Sequence, residues 1–191
     1  ADALGWNFLD SHLHEFLEIL PAQQRNRDAW YDGTADALYQ NVDLLRMEEP
    51  RFVLVLAGDH VYKMDYGVML AEHVEHGADV TIACLDVPLD DASAFGVVRS
   101  EDGWLRELVE KPLHPQALPD DPARARVSMG IYVFDAETLY QALHEDAYRP
   151  GSTHDIARDL VPALLRSGRR IRAHAFADSC VNMVAGKPYW R

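Results

Sequence analysis

The 191-residue sequence has only two cysteines, Cys84 and Cys180, and few basic residues for its length. Two cysteines cannot build the disulfide framework of a small secreted domain. Eighteen Lys and Arg against 31 Asp and Glu give a formal net charge of −13, with no long run of basic residues. Binding to nucleic acid or to an anionic membrane is therefore disfavoured, because the average electrostatic interaction would be repulsive. A small anionic ligand would need a locally basic pocket.

Long apolar segments and several familiar catalytic motifs are also missing. The longest apolar stretch around a predicted strand, Phe52–Gly58, is far shorter than the roughly 20 residues that a membrane-spanning helix needs. The first residues lack the basic region, apolar core and cleavage site of a secretory signal, so a cytoplasmic location is expected. Nucleophilic triads, metal-spaced Cys/His pairs and the glycine patterns of dinucleotide and P-loop sites are absent from the sequence.

The apolar pattern repeatedly changes from strand-like to helix-like along the chain. Phe52–Ala57 is a continuous β-branched and apolar run, typical of a strand buried on both faces. Asp65 is a suitable N-cap and Gly77 a suitable C-terminal residue for the helix predicted between them. Asp79–Leu85 predicts the next strand, which a helical crossover would place parallel to the first. Together these segments predict a βαβ unit.

The rest of the chain extends this pattern. Asp102 and Gly103 predict the turn of a β-hairpin. The other predicted elements are helices beginning at Thr34 and Asp135 and strands at 95–99, 104–109, 127–134 and 170–176. We expect a three-layer α/β domain with a mixed, mostly parallel sheet and an added antiparallel element. At the start, residues 7–20 have apolar residues at helical spacing; we expect a helix to about His14, then a short strand ending before Pro21.

Ligands of open α/β sheets bind outside the carboxyl ends of the strands, so the residues that follow strands are the first candidates. Gly58 and Asp59 come directly after the first buried strand. The glycine allows a ligand to approach the backbone, and the carboxylate could hold a divalent cation against phosphate oxygens. Asp59 could equally do no more than cap a turn.

Glu110, Lys111 and Pro112 follow another predicted strand. Pro112 favours an extended backbone at Lys111, whose ammonium group could then bind a phosphate. Glu110 could accept hydrogen bonds from sugar hydroxyls. The same three residues could also form an ordinary solvated loop.

Further candidates lie at a helix start and in two strands. Gly33 and Thr34 place a glycine and a hydroxyl at a helix N-terminus, which suits an anion or nucleotide as well as a simple cap. Gly96 lies in a strand where a ligand or another backbone could come close. Ser128 is a polar residue at the beginning of an otherwise apolar strand.

These groups occur in one order along the chain, and the combination resembles a known family. The segments that carry the resemblance are Leu20–Gln24, Trp30–Ala37, Leu56–Tyr62, Ala92–Val97, Val109–Pro112, Ser128–Phe134 and Pro188–Arg191. They are similar to the bacterial ADP-glucose pyrophosphorylases, the glucose-1-phosphate adenylyltransferases, which make ADP-glucose for glycogen or starch synthesis. The resemblance implies a nucleotide-diphospho-sugar transferase fold, with ATP and glucose 1-phosphate as substrates.

The resemblance also implies a role for each candidate. Asp59 would hold Mg²⁺ against the α-phosphate of ATP, and Lys111 would bind the phosphate of glucose 1-phosphate. The residues implied at the sugar phosphate are Tyr31, Gly96, Glu110 and Ser128, and those implied at the adenine end are Gln23, Gln24, Gly33 and Thr34. A phosphate oxygen of glucose 1-phosphate would attack the α-phosphorus in line and pyrophosphate would leave, with no covalent enzyme intermediate.

By the same resemblance, residues 1–191 correspond to the middle of the nucleotidyltransferase domain. Family members have a Gly-rich, Arg-containing loop before this part, and an Asp-Val-Gly-Thr segment and a β-helix domain after it; they form homotetramers. We therefore expect the 191 residues alone to be inactive although the parent is an enzyme. The alternatives are a non-catalytic regulatory subunit or sugar-nucleotide-binding paralogue, or a pyrophosphorylase that uses another nucleoside triphosphate.

Overall fold

The computed structural model describes residues 20, 31–58 and 64–176. The chain divides into two compact units, residues 1–31 and 32–191, and all elements given below belong to the second. The helix and short strand predicted within residues 7–20 lie outside the described residues, apart from Leu20 itself. No helix in the described part of the chain is long and apolar enough to cross a membrane.

The described residues form five α-helices, six strands and two short helical turns. The helices are α1 (Thr34–Tyr39), α2 (Val42–Met47), α3 (Tyr66–His76), α4 (Ala136–Ala147) and α5 (Val161–Arg166). The strands are β1 (Phe52–Val55), β2 (Val80–Pro88), β3 (Gly96–Glu101), β4 (Trp104–Glu110), β5 (Arg124–Asp135) and β6 (Ile171–Ala175). A 3₁₀ turn covers Leu89–Ala94 and a π-helical turn covers Ile156–Leu160. The single helix expected from Thr34 onward is two short helices.

The sheet is mixed, but the prediction that it is mostly parallel is wrong. Its strand order is β1-β5-β2-β6-β4-β3, and among the described strands only β2 and β6 form a parallel pair. Strand β5 lies between β1 and β2 and is antiparallel to both. The first two strands therefore run in the same direction without being neighbours. Local periodicity predicts a strand correctly but carries no information about which distant strand pairs with it.

Two single residue pairs help to close β5, β2, β6, β4 and β3 into a ring, whereas β1, at one end of the strand order, pairs with β5 outside it. Val97 of β3 pairs with Val127 of β5, and Trp104 of β4 pairs with Arg172 of β6. The first of these pairs brings the hairpin formed by β3 and β4 against the first half of β5. The ends of the hairpin strands consequently lie beside residues of β5 that are distant in sequence.

Capping residues set the ends of the two long helices, as predicted. The Asp65 carboxylate accepts a hydrogen bond from the Gly67 N–H at 2.9 Å at the start of α3. This helix ends at Gly77, whose φ of 56° is left-handed. The Asp135 carboxylate accepts from the Thr138 N–H at 3.3 Å at the start of α4. Local sequence thus sets both ends of α3 and the start of α4.

Two apolar clusters on opposite faces of the sheet confirm the layered arrangement. On one face Phe134 packs with Leu139 and Leu143 of α4, all at most 1% exposed. On the other face Ile131 packs with Met69 of α3, and both are fully buried. Alternate residues of β5 thus point to opposite layers, as the period of a strand requires. Full burial of one such side chain contributes about 1.5–3 kcal/mol.

Candidate functional site

Three of the predicted site residues meet at the open end of the β3–β4 hairpin. Gly96 pairs with Glu110 across the two strands. A Cβ atom at Gly96 would lie 2.9 Å from Oε2 of Glu110 and 3.7 Å from Cβ of Ser128. The missing side chain therefore leaves the space that the Glu110 carboxylate occupies next to β5. The ring-closing pairing of β3 with β5 is what brings Ser128 into this group.

Lys111 completes the group with a positive charge. Its Nζ lies 3.6 Å from Oε1 of Glu110; the lysine side chain is 61% exposed and the glutamate side chain 17%. A salt bridge with so exposed a partner contributes little to stability, so the ammonium group can turn to a ligand phosphate at low cost. The extended backbone expected from Pro112 is wrong, because Lys111 has a left-handed φ of 47°. Its N–H donates to the carbonyl of Phe95 at 3.0 Å, which fixes this turn at the end of the hairpin.

Tyr132 belongs to the same group, although its place in an apolar run gave no sign of it. Its hydroxyl lies near enough to Ser128 for a hydrogen bond with that residue to lower the pKa of Tyr132. Residues four apart in a regular strand are separated by about 13 Å, but Gly130 between them has a left-handed φ of 69°. The Ser128 hydroxyl accepts from the Gly130 N–H at 3.2 Å. A glycine inside a predicted strand was the available signal that the strand is irregular here.

The environment keeps the Tyr132 hydroxyl protonated. Burial raises the pKa of Tyr132 to about 12, against the smaller lowering effect of its hydrogen bond to Ser128. The negative charges of Asp155 and Glu110 raise this pKa further. Tyr132 is therefore an uncharged hydrogen-bonding group near neutral pH. One of these charges, Asp155, was not selected in the sequence analysis.

Gly33 and Thr34 contact a loop formed by residues 152–156. A Cβ at Gly33 would lie 2.3 Å from the carbonyl oxygen of His154. The Thr34 hydroxyl accepts from the Ile156 N–H at 3.0 Å and donates to the Asp155 carboxylate at 3.3 Å. The expectation that Thr34 caps its own helix is wrong, because Gly33 is the N-cap and α1 has no side-chain cap. The hydroxyl holds the distant loop instead.

Asp155 is the residue shared by these two groups. It interacts with Thr34 through a hydrogen bond and with Tyr132 through its charge. Its other carboxylate oxygen accepts from the Arg158 N–H at 2.9 Å and so caps the π-helical turn. A capping aspartate gives the same sequence signal in any loop, which is why the sequence did not single it out.

The remaining candidates are Asp59, Gln23, Gln24 and Tyr31. Asp59, Gln23 and Gln24 lie outside the described residues, and Tyr31 is the last residue of the first unit. Among residues 31–58 and 64–176, no group of three or more His, Cys, Asp or Glu side chains could hold a metal ion. The described part of the site therefore provides a cation, a carboxylate and two hydroxyls, a set suited to a phosphorylated, hydroxyl-rich ligand.

Both the layered mixed sheet and this polar group at a strand end fit an enzyme that handles a phosphorylated ligand. The family model described as Nucleotidyl transferase matches residues 6–191, so the chain belongs to the nucleotidyl transferase family. It is 55% identical over 189 residues to the glucose-1-phosphate adenylyltransferase of Nitrosomonas europaea, covering 98% of this chain and 44% of the relative. The enzymes of that name from Methylobacillus flagellatus and Bradyrhizobium diazoefficiens are 55% and 48% identical, each over 98% of this chain. They are covered to 44% and 45% of their own length, so the chain spans less than half of the curated relatives that it matches.

Proposed function

We propose that the protein transfers the adenylyl group of ATP to glucose 1-phosphate, giving ADP-glucose and pyrophosphate for glycogen or starch synthesis. Membership of the nucleotidyl transferase family and the similarity to glucose-1-phosphate adenylyltransferases support this proposal. The observation that carries it is the group at the hairpin end, where the exposed Lys111 ammonium stands beside the Glu110 carboxylate, Gly96 and Ser128. A sugar phosphate needs one cation for its phosphate and several hydrogen-bonding groups for its hydroxyls.

We assign each side chain a role at the sugar phosphate from its chemistry. Lys111 binds the phosphate as a point charge. Glu110 accepts hydrogen bonds from sugar hydroxyls, and Gly96 leaves room for that carboxylate. Ser128 offers a hydroxyl on the same side, kept in place by its contact with Tyr132. Tyr31 is assigned to the sugar phosphate from the sequence resemblance alone.

The nucleotide end is assigned to residues nearer the N-terminus. We assign Gly33 and Thr34 to the nucleotide, and Gln23 and Gln24 are assigned to it from the sequence resemblance alone. Asp59 would hold Mg²⁺, a hard cation that prefers carboxylate and phosphate oxygens. When bound, the ion supplies charge neutralisation at the α-phosphate.

The reaction requires positioning more than covalent chemistry. A phosphate oxygen of glucose 1-phosphate attacks the α-phosphorus of ATP in line with the leaving pyrophosphate. Lys111 holds the attacking phosphate, while Glu110 and Ser128 fix the sugar so that one oxygen is aligned. Preorganised charges and dipoles stabilise the transition state without a covalent enzyme intermediate.

The type of domain and the oligomeric state are proposed from the family that the sequence resembles. Residues 1–191 form part of a catalytic domain of the nucleotide-diphospho-sugar transferase type. We further propose a cytoplasmic homotetramer, the assembly typical of the family that the sequence resembles. Sedimentation of the complete protein would test the tetramer.

A binding experiment tests the sugar-phosphate site directly. Calorimetric titration with glucose 1-phosphate should show that Lys111→Ala weakens binding about 10- to 100-fold, the loss expected for a hydrogen bond to a charged group. Arg99→Ala is the matched control, because it removes a positive charge from the same hairpin where that charge pairs with Glu101 and Glu107. It should change the affinity less than about twofold. Equal affinities of Lys111→Ala and the unaltered protein would overturn the assignment.

The nucleotide is tested separately, by pyrophosphate release from the complete protein. ATP should be used in strong preference to UTP, CTP and dTTP when glucose 1-phosphate is the acceptor. A preference for one of the other triphosphates would overturn the adenylyl part of the proposal and leave the sugar-phosphate part intact.

A further inference from the structure

We propose that Asp146 is a positioning residue: through His154 and Ser152 it fixes the loop of residues 152–156 in the conformation that places Asp155 and Thr34 at the site. The proposal rests on the proposed function, since it assigns the loop to substrate binding. Asp146 itself is in the last turn of α4 and does not belong to the groups described above.

Asp146 is a buried carboxylate whose hydrogen bonds all come from the segment that follows α4. Its side chain is 2% exposed. Oδ1 accepts from Arg149 Nη1 at 3.2 Å and from Ser152 Oγ at 2.9 Å. Oδ2 accepts from His154 Nδ1 at 2.9 Å, so the imidazole is the donor in this pair. A buried carboxylate needs such compensation, and here all of it is directed at the loop.

The His154 peptide is held in an unusual conformation by these bonds. Its φ is 55°, in the left-handed region that non-glycine residues seldom adopt. The Ser152 hydroxyl also accepts from the His154 N–H at 3.0 Å. The imidazole and the N–H of His154 are both fixed by these bonds. Its carbonyl oxygen lies at the start of α1, where it accepts a hydrogen bond from the Ala35 N–H at 2.8 Å.

A second carboxylate holds the other side of the loop. Asp159 accepts from the Thr153 hydroxyl at 2.5 Å, from the Thr153 N–H at 3.1 Å and from the Asp155 N–H at 3.3 Å. Burial raises the pKa of Asp159, but the hydrogen bonds from Thr153 and from the Asp155 backbone outweigh it, so the pKa is lowered. Asp159 therefore stays ionised and pulls the backbone on either side of His154 toward the turn.

In this proposal Asp146 and Asp159 together hold the loop of residues 152–156 where it serves both the sugar-phosphate end and the nucleotide end of the site. Asp155 contacts Thr34 and lies in the electrostatic neighbourhood of Tyr132. A loop released from Asp146 would carry Asp155 away from Thr34, and the peptide of His154 would no longer hold the start of α1. Both the sugar-phosphate end and the nucleotide end of the site would then be misplaced together.

Steady-state kinetics of the complete protein test this role. Asp146→Asn and His154→Ala should each raise the KM values for both glucose 1-phosphate and ATP at least fivefold. His154→Asn should stay within twofold of the unaltered protein, because its amide can donate to Asp146 and asparagine tolerates a left-handed φ. The matched control is Glu145→Gln, which removes an exposed carboxylate one residue away in the same helix and should leave both KM values unchanged.

The KM values distinguish a positioning role of Asp146 from a mere loss of folded protein. A partly unfolded preparation loses kcat but keeps the KM values of its folded fraction. Unchanged KM values in Asp146→Asn would overturn the proposal, and His154→Ala provides the same test if Asp146→Asn fails to fold. If the unaltered protein makes no ADP-glucose, the proposed function fails instead.

Amide hydrogen exchange tests the anchor without any activity. The N–H groups of Ala35 and Asp155 should exchange at least tenfold faster in Asp146→Asn than in Glu145→Gln. Equal exchange rates in the two variants would show that Asp146 does not hold the loop.

Discussion

The carbonyl oxygen of His154 accepts a hydrogen bond from the N–H of Ala35 at 2.8 Å. This bond joins the start of α1 to a loop that follows α4, two segments far apart in the sequence. It also explains why residue 33 is glycine: the two chains are so close that a Cβ there would lie 2.3 Å from the same oxygen. The contact thus depends on two residues: His154 supplies the carbonyl oxygen, and Gly33 has no side chain that would clash with it.

Gly33→Ala should therefore destabilise the protein by about 1–3 kcal/mol, the usual cost of overpacking a tight contact. The φ of Gly33 is −174°, so the cost comes from the clash with the backbone of Thr153 and His154 and not from backbone strain. Urea unfolding measures it. Gly151→Ala is the comparison: its Cβ meets nothing within 4 Å, but φ is 80°, so strain alone should cost about 1 kcal/mol. A Gly33→Ala variant as stable as the unaltered protein would contradict the close packing described here.

Gly96→Ala should affect binding more than stability. The new Cβ would lie 2.9 Å from Oε2 of Glu110, the free end of a flexible side chain that can move away. Cδ1 of the buried Leu108 would lie 3.1 Å away, so we expect a loss of stability of about 1 kcal/mol, at the low end for overpacking because no backbone atom has to shift. Glucose 1-phosphate affinity should fall about tenfold or more, since the carboxylate leaves its place.

A second variant, Glu110→Gln, tests the same carboxylate, because it keeps the shape of the side chain and removes its charge. We expect both variants to weaken binding measured by calorimetry and to lose no more than about 1 kcal/mol of stability in urea unfolding. Unaltered affinity in Gly96→Ala would show that the position of Glu110 does not matter for the ligand.

Cys84 should be inert to thiol reagents in the folded protein. It is fully buried, and burial raises the pKa of its thiol to about 12, so almost no thiolate is present near neutral pH. In a Cys180→Ser background, labelling of the native protein with a maleimide should be at least a hundredfold slower than labelling in denaturant. Fast labelling under native conditions would mean that β2 is accessible to solvent.

Stability should fall at alkaline pH because of Cys84 and Tyr132. Their pKa values are raised by burial from 9.0 and 10.0, each to about 12 in the folded protein. The unfolded chain therefore loses these protons first and binds fewer protons than the native state, so stability decreases as pH rises. The contribution is intact below pH 9 and is lost between about pH 9 and 12, with each group adding a slope of up to about 1.4 kcal/mol per pH unit.

Urea unfolding across this pH range measures the effect. Tyr132→Phe should have a shallower slope than the unaltered protein above pH 10, and Cys84→Ala a shallower slope from pH 9 onward. Each comparison is of slopes, so a variant that is less stable at neutral pH remains informative. Identical slopes in all three proteins would mean that neither group stays protonated through burial.

Local patterns in the sequence determined most of the secondary structure. Asp65 and Gly77 set the ends of α3, and Asp135 begins α4, because caps act through hydrogen bonds to residues two to four positions away. The turn at Asp102 and Gly103 is as predicted, with φ values of 51° and 77°. The three layers followed from the alternation of strand-like and helix-like apolar patterns, which needs no knowledge of distant neighbours.

Tertiary structure decided which strands pair and which polar groups meet. The sequence alone predicted Gly96, Glu110, Lys111 and Ser128 as candidates, but their meeting depends on the pairing of β3 with β5. Strand β5 separates β1 from β2, and the Thr34 hydroxyl binds Asp155 instead of capping α1. Strand pairs and hydrogen bonds between residues distant in sequence depend on packing across the whole fold. The spacing of residues along the chain records which groups are available, whereas only the folded backbone brings them within hydrogen-bonding distance.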